Sequence, residues 1–429
     1  MSEQPLNESL QVSSRRANLR AWATFRRACG NELVMDAVLM QSLGLSELLP
    51  NVIPRPIHVK RMLTRLKPIW PVLFTTAAAS WTWILFPLLL VAQVSRTIRD
   101  WHRCPRRTKP LQNDVGIGLT TRVCEVVRCV PTERRPRQWI SVPWMPARIP
   151  DGGDEAVPLL SVARWRDFFQ AAWMAYRAVR IIRRKGLGHC PRGHCRTAIL
   201  QTYVAWEWFL TWRLLPRHLT PETGVWFANH YDRWAVLLDR LPAGGPRHLI
   251  QHGFAQFGLP LAYRLRHTAE VLFFDAATQQ VLRDVALAAN CRPQWTPLRA
   301  QLQLTPWPQS ARKTGVILVI GQPVEPHLER ELLTALSKAF PNANLLYKAH
   351  PLYGRSGAAH VPSPPVEILL TRDTYPAADV VLSGNSWLGV EYESTGTPVV
   401  WYKTQPLAIV IERTSGHLVR AMQDDSTAA

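Results

Sequence analysis

Through the second half of this chain, short apolar runs alternate with stretches of helical periodicity, and the pattern occurs twice. In the first set the strand-like runs are Val225–Ala228, His248–Gln251 and Val271–Phe274, with helical stretches through Trp234–Leu241 and Thr278–Ala289. In the second they are Val316–Ile320, Asn344–Lys348, Val366–Leu370, Asp379–Leu382 and Pro398–Tyr402, with helices over Leu328–Ala339 and Trp387–Ser394. A continuously apolar strand must be covered on both faces, and strands separated by helices join as parallel neighbours through crossovers. This excludes a sandwich or a helical bundle. Cys291–Lys313, with four prolines and no periodicity, separates the two sets as a linker. The expected fold class is α/β, with two Rossmann-like domains at residues 159–300 and 314–429.

The front of the chain reads differently. Residues 1–100 are expected to form a basic N-terminal region with an amphipathic helical run near Glu32–Leu49. Within it, Pro68–Val94 holds no charged residue across 27 positions. A helix of that length could cross the ~30 Å hydrocarbon core. Trp70 and Trp101 lie where aromatic rings favour the interface. Arg61, Arg65 and Lys67 precede the window and Arg96, Arg99 and Arg103 follow it, so charge gives no orientation. Pro71, Pro87 and four hydroxyl residues weaken a straight span; the alternative is a buried or interfacial helix. The expectation is a helical, membrane-associated extension, inserted as a span or re-entrant hairpin. Residues 101–158 are expected to be an Arg/Pro-rich connector. Ser161–Lys185 is expected to be a helix closing on Arg180, Arg183, Arg184 and Lys185, a favourable C-terminal charge.

The net charge is +20, yet the residues from Ser310 onward are close to neutral. The basic excess therefore sits in the front part and suits an anionic surface: lipid headgroups, a polyanionic acceptor or nucleic acid. No helix-turn-helix, zinc-finger or RNP-like pattern is present, so nucleic acid is not expected as a partner. Seven scattered cysteines do not form a disulfide framework, and a reducing compartment is expected. The N-terminus lacks the early apolar core of a secretory signal.

In open parallel sheets, ligands bind beyond the carboxyl ends of the strands. Three such ends carry polar clusters: Gln251-His252-Gly253, Lys348-Ala349-His350-Pro351, and Ser383-Gly384-Asn385-Ser386 with Glu391 following. A Ser/Asn turn opening a helix offers N–H groups and hydroxyls to a phosphate, and would serve equally as a plain helix cap. Lys348 and His350 could neutralise a leaving phosphate, with Pro351 stiffening the turn. Glu391 could accept from ribose hydroxyls. His252 could act as general base, and a lone strand-end histidine is also an ordinary turn residue. Asn229, His230 and Asp232 follow Val225–Ala228, and Asp232 is the fallback base. Cationic side chains can replace a divalent ion here, so no metal and no cofactor are expected. His189, Cys190, His194 and Cys195 match no closed zinc spacing and read as a basic surface loop.

These clusters resemble the bacterial capsule and wall-polymer transferases that use CMP- or CDP-linked donors. Those are the polysialyltransferase-like proteins, the capsular Kdo transferases and the CDP-glycerol glycerophosphotransferases. The resemblance rests on His252-Gly253, Lys348-Ala349-His350-Pro351, the Ser383–Ser386 turn, and Glu391 ahead of Gly396-Thr397-Pro398-Val399. Val319-Ile320-Gly321-Gln322-Pro323 is similar to the opening of their C-terminal domain. It spans about Val225 to Tyr402 and leaves the first 150 residues outside. It implies a two-Rossmann (GT-B) glycosyltransferase working by inversion, with residues 159–300 as acceptor domain and 314–429 as donor domain. The donor nucleotide would be held by Gln322, Lys348, His350, Pro351, Ser383, Asn385, Ser386 and Glu391, with His252 as base. The acidic motif that supplies the base in related sialyltransferases is absent, and Ala349 stands where Pro is frequent. The partners implied are a nucleotide sugar, a glycan or lipid-linked acceptor and the anionic face of the inner (cytoplasmic) membrane, with the catalytic domains facing the cytoplasm. Polyol-phosphate transfer, a sugar-nucleotide epimerase, and a non-catalytic basic membrane adaptor or nucleic-acid binder remain the alternatives.

Overall fold

A computed structural model describes residues 17–35, 70–145, 155–187, 198–251, 259–298, 302–307, 315–321, 326–349, 366–369, 374–384 and 386–428, apart from single positions within these ranges. The chain divides into two compact units, Met1–Leu298 and Arg299–Ala429.

The first unit is built on seven parallel strands: β1 Val115–Gly118, β2 Gln138–Ser141, β3 Glu155–Pro158, β4 Val225–Phe227, β5 Arg247–Ile250, β6 Thr268–Phe273 and β7 Gln294–Pro297. Their spatial order is β3-β2-β1-β4-β5-β6-β7. The order reverses between β1 and β4, as in a doubly wound Rossmann sheet. Alternation along each strand supplies two faces. Ile117, Val225, Phe227 and Val271 join one apolar cluster; Trp139, Trp226, Ala228, Ile250 and Leu272 join the other. The first face is covered by helices Trp165–Lys185, Ala205–Leu214 and Arg233–Arg240, the second by Thr121–Val127.

Two expectations are corrected in this unit. Residues 101–158 are not a connector, because they supply β1, β2 and β3. The described residues among the first hundred do not form a separate extension either. Residues 17–35 are helical, and Ala21, Phe25, Ala28 and Cys29 are fully buried in the same core. Asn31 donates to the carbonyls of Tyr231 and Tyr263 at 2.8 and 2.9 Å, and the Glu32 carboxylate lies 3.2 Å from the Arg233 guanidinium. Burial opposes charge on Arg233, but Glu32, with Tyr203 and Cys29, together outweigh it and raise the guanidinium's pKa. Beyond residue 35, the expected Glu32–Leu49 helix lies outside the described residues.

The apolar window forms helix Trp70–Ser80, a π-helical turn Trp81–Leu85 and helix Phe86–His102. Pro87 has no N–H to donate and crowds the preceding turn, and the widened turn lies directly before it. Thr75–His102 is long and apolar enough to cross a membrane.

The second unit carries five parallel strands: β8 Val316–Ile320, β9 Asn344–Lys348, β10 Val366–Leu369, β11 Val380–Ser383 and β12 Val399–Trp401. Their order, β10-β9-β8-β11-β12, reverses between β8 and β11. Ile317, Val319, Tyr347 and Leu382 pack toward helices Pro326–Ala339 and Leu407–Ala428. Leu318, Ile320, Leu346 and Val381 pack toward helix Trp387–Ser394.

Candidate functional site

In the second unit the polar strand ends fall into register. Lys348 pairs with Ile320, Ile320 with Ser383, and Ser383 with Trp401. The last residues of β9, β8, β11 and β12 therefore form one row along the carboxyl edge. At about 4.8 Å between strands, the Cα atoms of Lys348 and Ser383 stand about 10 Å apart. Each lies two residues beyond Leu346 or Val381, so both side chains turn to the face that carries helix Trp387–Ser394.

The Ser383–Ser386 turn links β11 to that helix at the strand-order reversal, where open α/β sheets bind ligands. Ser386 is the N-cap: its Oγ accepts from the Leu388 N–H at 3.3 Å. Ser383 is fully buried, and its Oγ accepts from the Ser386 N–H at 3.4 Å. The helix approaches very closely. A Cβ on Gly389 would lie 2.6 Å from Ser383 Oγ and 2.8 Å from the Trp401 ring. The glycine thus brings the helix N-terminus, the positive end of its dipole, onto the strand ends. Glu391 is half-buried on the second turn of the helix.

Lys348, the strand-end cation expected to neutralise a leaving phosphate, has partners within the protein. It is buried, its ammonium donates to the Thr374 carbonyl at 2.7 Å, and it lies 4.7 Å from the Tyr375 ring centroid. It ties the end of β9 to residues 374–375. That segment is pinned further, since Thr305 donates to the Tyr375 carbonyl at 2.7 Å and Ala377 to that of Thr305 at 2.8 Å. Gln322, His350, Pro351 and Asn385 lie outside the described residues.

In the first unit, Asp232 caps helix Arg233–Arg240. Its Oδ1 accepts from the N–H groups of Trp234 and Ala235 at 3.0 and 2.9 Å, and its Oδ2 from Asn229 Nδ2 at 2.6 Å. The cap occupies Oδ1, and Asn229 orients Oδ2. His252 lies outside the described residues, but the residue before it is fixed. Gln251 is fully buried; its side chain donates to Asp275 at 2.9 Å and accepts from the Phe274 N–H at 2.8 Å. Asp275 in turn caps helix Ala276–Val281. The ends of β5 and β6 are thereby locked where the His252 segment begins.

Sequence reading passed over Asp275, Gly389 and Tyr375. A cap signal at Asp275 and an isolated helical glycine were visible; the Lys348–Tyr375 contact was not, because only the fold creates it. Another ionisable cluster is structural. Glu270 is engaged by Arg134 at 2.7 Å, His248 at 2.9 Å and Thr296 at 2.5 Å. Burial raises its pKa, but these partners outweigh burial and hold the carboxyl below its usual value. Among the described residues no group of three or more His, Cys, Asp or Glu could hold a metal ion. His189, Cys190, His194 and Cys195, the cluster weighed for zinc, all lie outside those residues.

No protein-family model matches the chain, and no curated protein matches it. Two solved structures are similar in part. One, described as a GtfA/B complex, is 12% identical over 47% of this chain at a TM-score of 0.30. The chain spans 45% of that structure's length. The other, an O-GlcNAc transferase mutant from Thermobaculum terrenum, is 11% identical over 90% of this chain and 78% of that one, at a TM-score of 0.34. Both scores are too low for either likeness to bear on function, and the strand orders themselves identify two doubly wound parallel α/β sheets.

Proposed function

We propose that the chain is a glycosyltransferase using a nucleotide-activated sugar, with the donor nucleotide seated on the carboxyl edge of the second unit. The observation that carries this reading is the Ser383–Ser386 turn, capped and glycine-packed, at the reversal between β8 and β11. A phosphate there meets a helix N-terminus, and no acidic side chain occupies the first turn of that helix. Asn385 would add a side-chain donor, His350 and Gln322 would reach the phosphates, Pro351 would stiffen the turn, and Glu391 would take ribose hydroxyls.

An acceptor hydroxyl attacks the anomeric carbon as the bond from that carbon to the donor phosphate oxygen breaks. The nucleotide leaves with the bonding electrons, and His252 takes the hydroxyl proton. A single displacement of this kind inverts the anomeric carbon. The resemblance of the strand-end motifs favours a CMP- or CDP-linked donor and a glycan or lipid-linked acceptor.

The test is nucleotide release by the full chain from CMP-, CDP-, UDP- and GDP-sugars, without added acceptor and with membrane glycolipid extract. Release from a cytidine-linked donor that rises with extract and falls at least about a hundredfold in His252→Ala supports the reading. Release from none of the four by folded protein overturns it.

A further inference from the structure

The long apolar helix is fastened along one side. Arg183 donates to the Ala79 carbonyl at 3.4 Å, and the Trp81 indole to Thr202 at 2.8 Å. Gln93 donates to the Tyr203 carbonyl at 3.2 Å, the Trp206 indole to Thr97 at 3.2 Å, and the Trp101 indole to the Ala163 carbonyl at 3.2 Å. Phe86 and Trp101 are buried in the core of the first unit. These points run from Ala79 to Trp101, about 33 Å of helix. The opposite side is bare. Trp83, Ile84, Leu88 and Val91 are each more than half exposed, and only 17% of the 18-residue apolar stretch within Thr75–His102 is buried.

A second helix extends this bare surface. Trp165–Lys185 lies antiparallel beside the first. Its Trp165 ring is 4.8 Å from Trp101, and its Arg180 and Arg183 guanidinium groups lie 5.8 and 5.7 Å from the Trp83 ring. It buries Phe168, Ala171, Ala175, Ala178 and Ile182, and exposes Trp165, Phe169 and Trp173 at a spacing of four. Phe169 is 71% exposed. Contiguous exposure of large aromatic and aliphatic groups on two adjoining helices marks an interaction surface.

Charge identifies what covers it. The two helices carry Arg96, Arg99, Arg166, Arg177, Arg180, Arg183, Arg184 and Lys185 against Asp100 and Asp167. Asp167 is fully buried and bound by Arg213 and Arg217. The arginines stand beside the exposed rings, with Arg177 5.1 Å from Trp173 as well as Arg180 and Arg183 at Trp83. Indoles and aliphatic groups intermixed with guanidinium groups match the headgroup layer of an anionic bilayer.

We infer that these two helices form one docking face that lies in the plane of an anionic lipid bilayer, and that the apolar helix does not cross it. A crossing would draw the groups fastened to its other side, and the parallel sheet behind them, into hydrocarbon that cannot satisfy them. In-plane seating buries only the bare side. This inference needs no donor and stands independently of the transferase reading.

The test is flotation of the full chain with vesicles of phosphatidylcholine alone or with 30% phosphatidylglycerol. The variants are Phe169→Ser with Trp173→Ser, Leu88→Ser with Val91→Ser, and Arg180→Ala with Arg183→Ala. All six positions are at least partly exposed, and thermal unfolding checks that each variant folds. Either apolar pair is expected to lower the bound fraction at least about tenfold, and the arginine pair to abolish the preference for anionic vesicles. A crossing helix would keep Phe169→Ser/Trp173→Ser bound, because neither residue lies on it, and that result overturns the proposal. Wild-type protein that ignores anionic vesicles and becomes monomeric on the same substitutions overturns it too, assigning the face to a second copy of the chain.

Discussion

Gly389→Ala adds a single methyl group to helix Trp387–Ser394, and the structure sets the sign of its effect. The new Cβ would lie 2.6 Å from Ser383 Oγ, 2.7 Å from Ser383 Cβ and 2.8 Å from the Trp401 ring. Rotating the hydroxyl relieves only the first contact, because Ser383 Cβ is fixed to the backbone of β11. Overpacking of this kind costs about 1–3 kcal/mol. Alanine returns up to about 1 kcal/mol of helix propensity. Because two of the three contacts cannot be relieved by rotation, the upper part of that cost applies, about 2–3 kcal/mol, and the net is a destabilisation of about 1–2 kcal/mol, or about 3–8 °C in Tm for a unit of this size. Gly416 is the internal control. It lies in helix Leu407–Ala428, and a Cβ there would meet no atom within 4 Å. Gly416→Ala should therefore stabilise by about 0.5–1 kcal/mol. The assay is thermal and urea unfolding of the full chain, following the transition of the second unit. Equal or same-sign effects from the two substitutions would refute the close packing of the helix against the end of β11.

The buried Glu32–Arg233 pair binds the N-terminal helix to the first unit, and Glu32→Ala leaves the guanidinium without its counter-charge. A loss of about 3–5 kcal/mol is expected in urea unfolding, and a loss under about 1 kcal/mol would mean the helix is not integral. Burial pushes the Glu207 carboxyl up to about 7 against the opposing pull of Arg233 and Arg96. The folded state then binds the proton more tightly than the unfolded chain, whose value is near 4.5. Stability on this account falls as pH rises from about 4.5 through about 7, by on the order of 1–3 kcal/mol. Glu207→Gln should flatten that slope, giving more gain at pH 8 than at pH 5 in chemical unfolding; an unchanged slope counts against the shift. Ser386→Ala removes the cap at the proposed phosphate turn and should cost about 1 kcal/mol of unit stability, with weaker nucleotide binding read by calorimetry.

How far the sequence disclosed this structure depends on how much of each element's signal is local. β8 and β9 occur at the residues expected, because each is a short run with an apolar centre, too short for a helix and bounded by turn residues. The Trp387–Ser394 helix was legible from its serine cap. β1 to β3 were not, since each has four residues and β1 contains two glycines. Gly116 is there because the Trp139 ring lies over it, a complementarity between strands that no window of sequence displays. β7 holds Pro297 at a sheet edge, where a missing N–H is tolerated, and so read as part of a linker. The N-terminal helix was masked by its arginines, whose long stems sit on the outer face while Ala21, Phe25 and Ala28 face inward. In the candidate site, the serine turn was readable as a cap and a phosphate cradle. The fate of Lys348 was not, because its partners Thr374 and Tyr375 lie on another segment.

The central claim, a donor nucleotide on the carboxyl edge of the second unit, is tested most directly by calorimetry. Full-length protein is titrated with CMP, CDP, UDP and GDP, alongside His350→Ala and Glu391→Ala. The account predicts tightest binding of a cytidine nucleotide, weakened at least about tenfold in both variants while unfolding is unchanged. Binding of none of the four by folded protein, or binding that both variants leave intact, would contradict it.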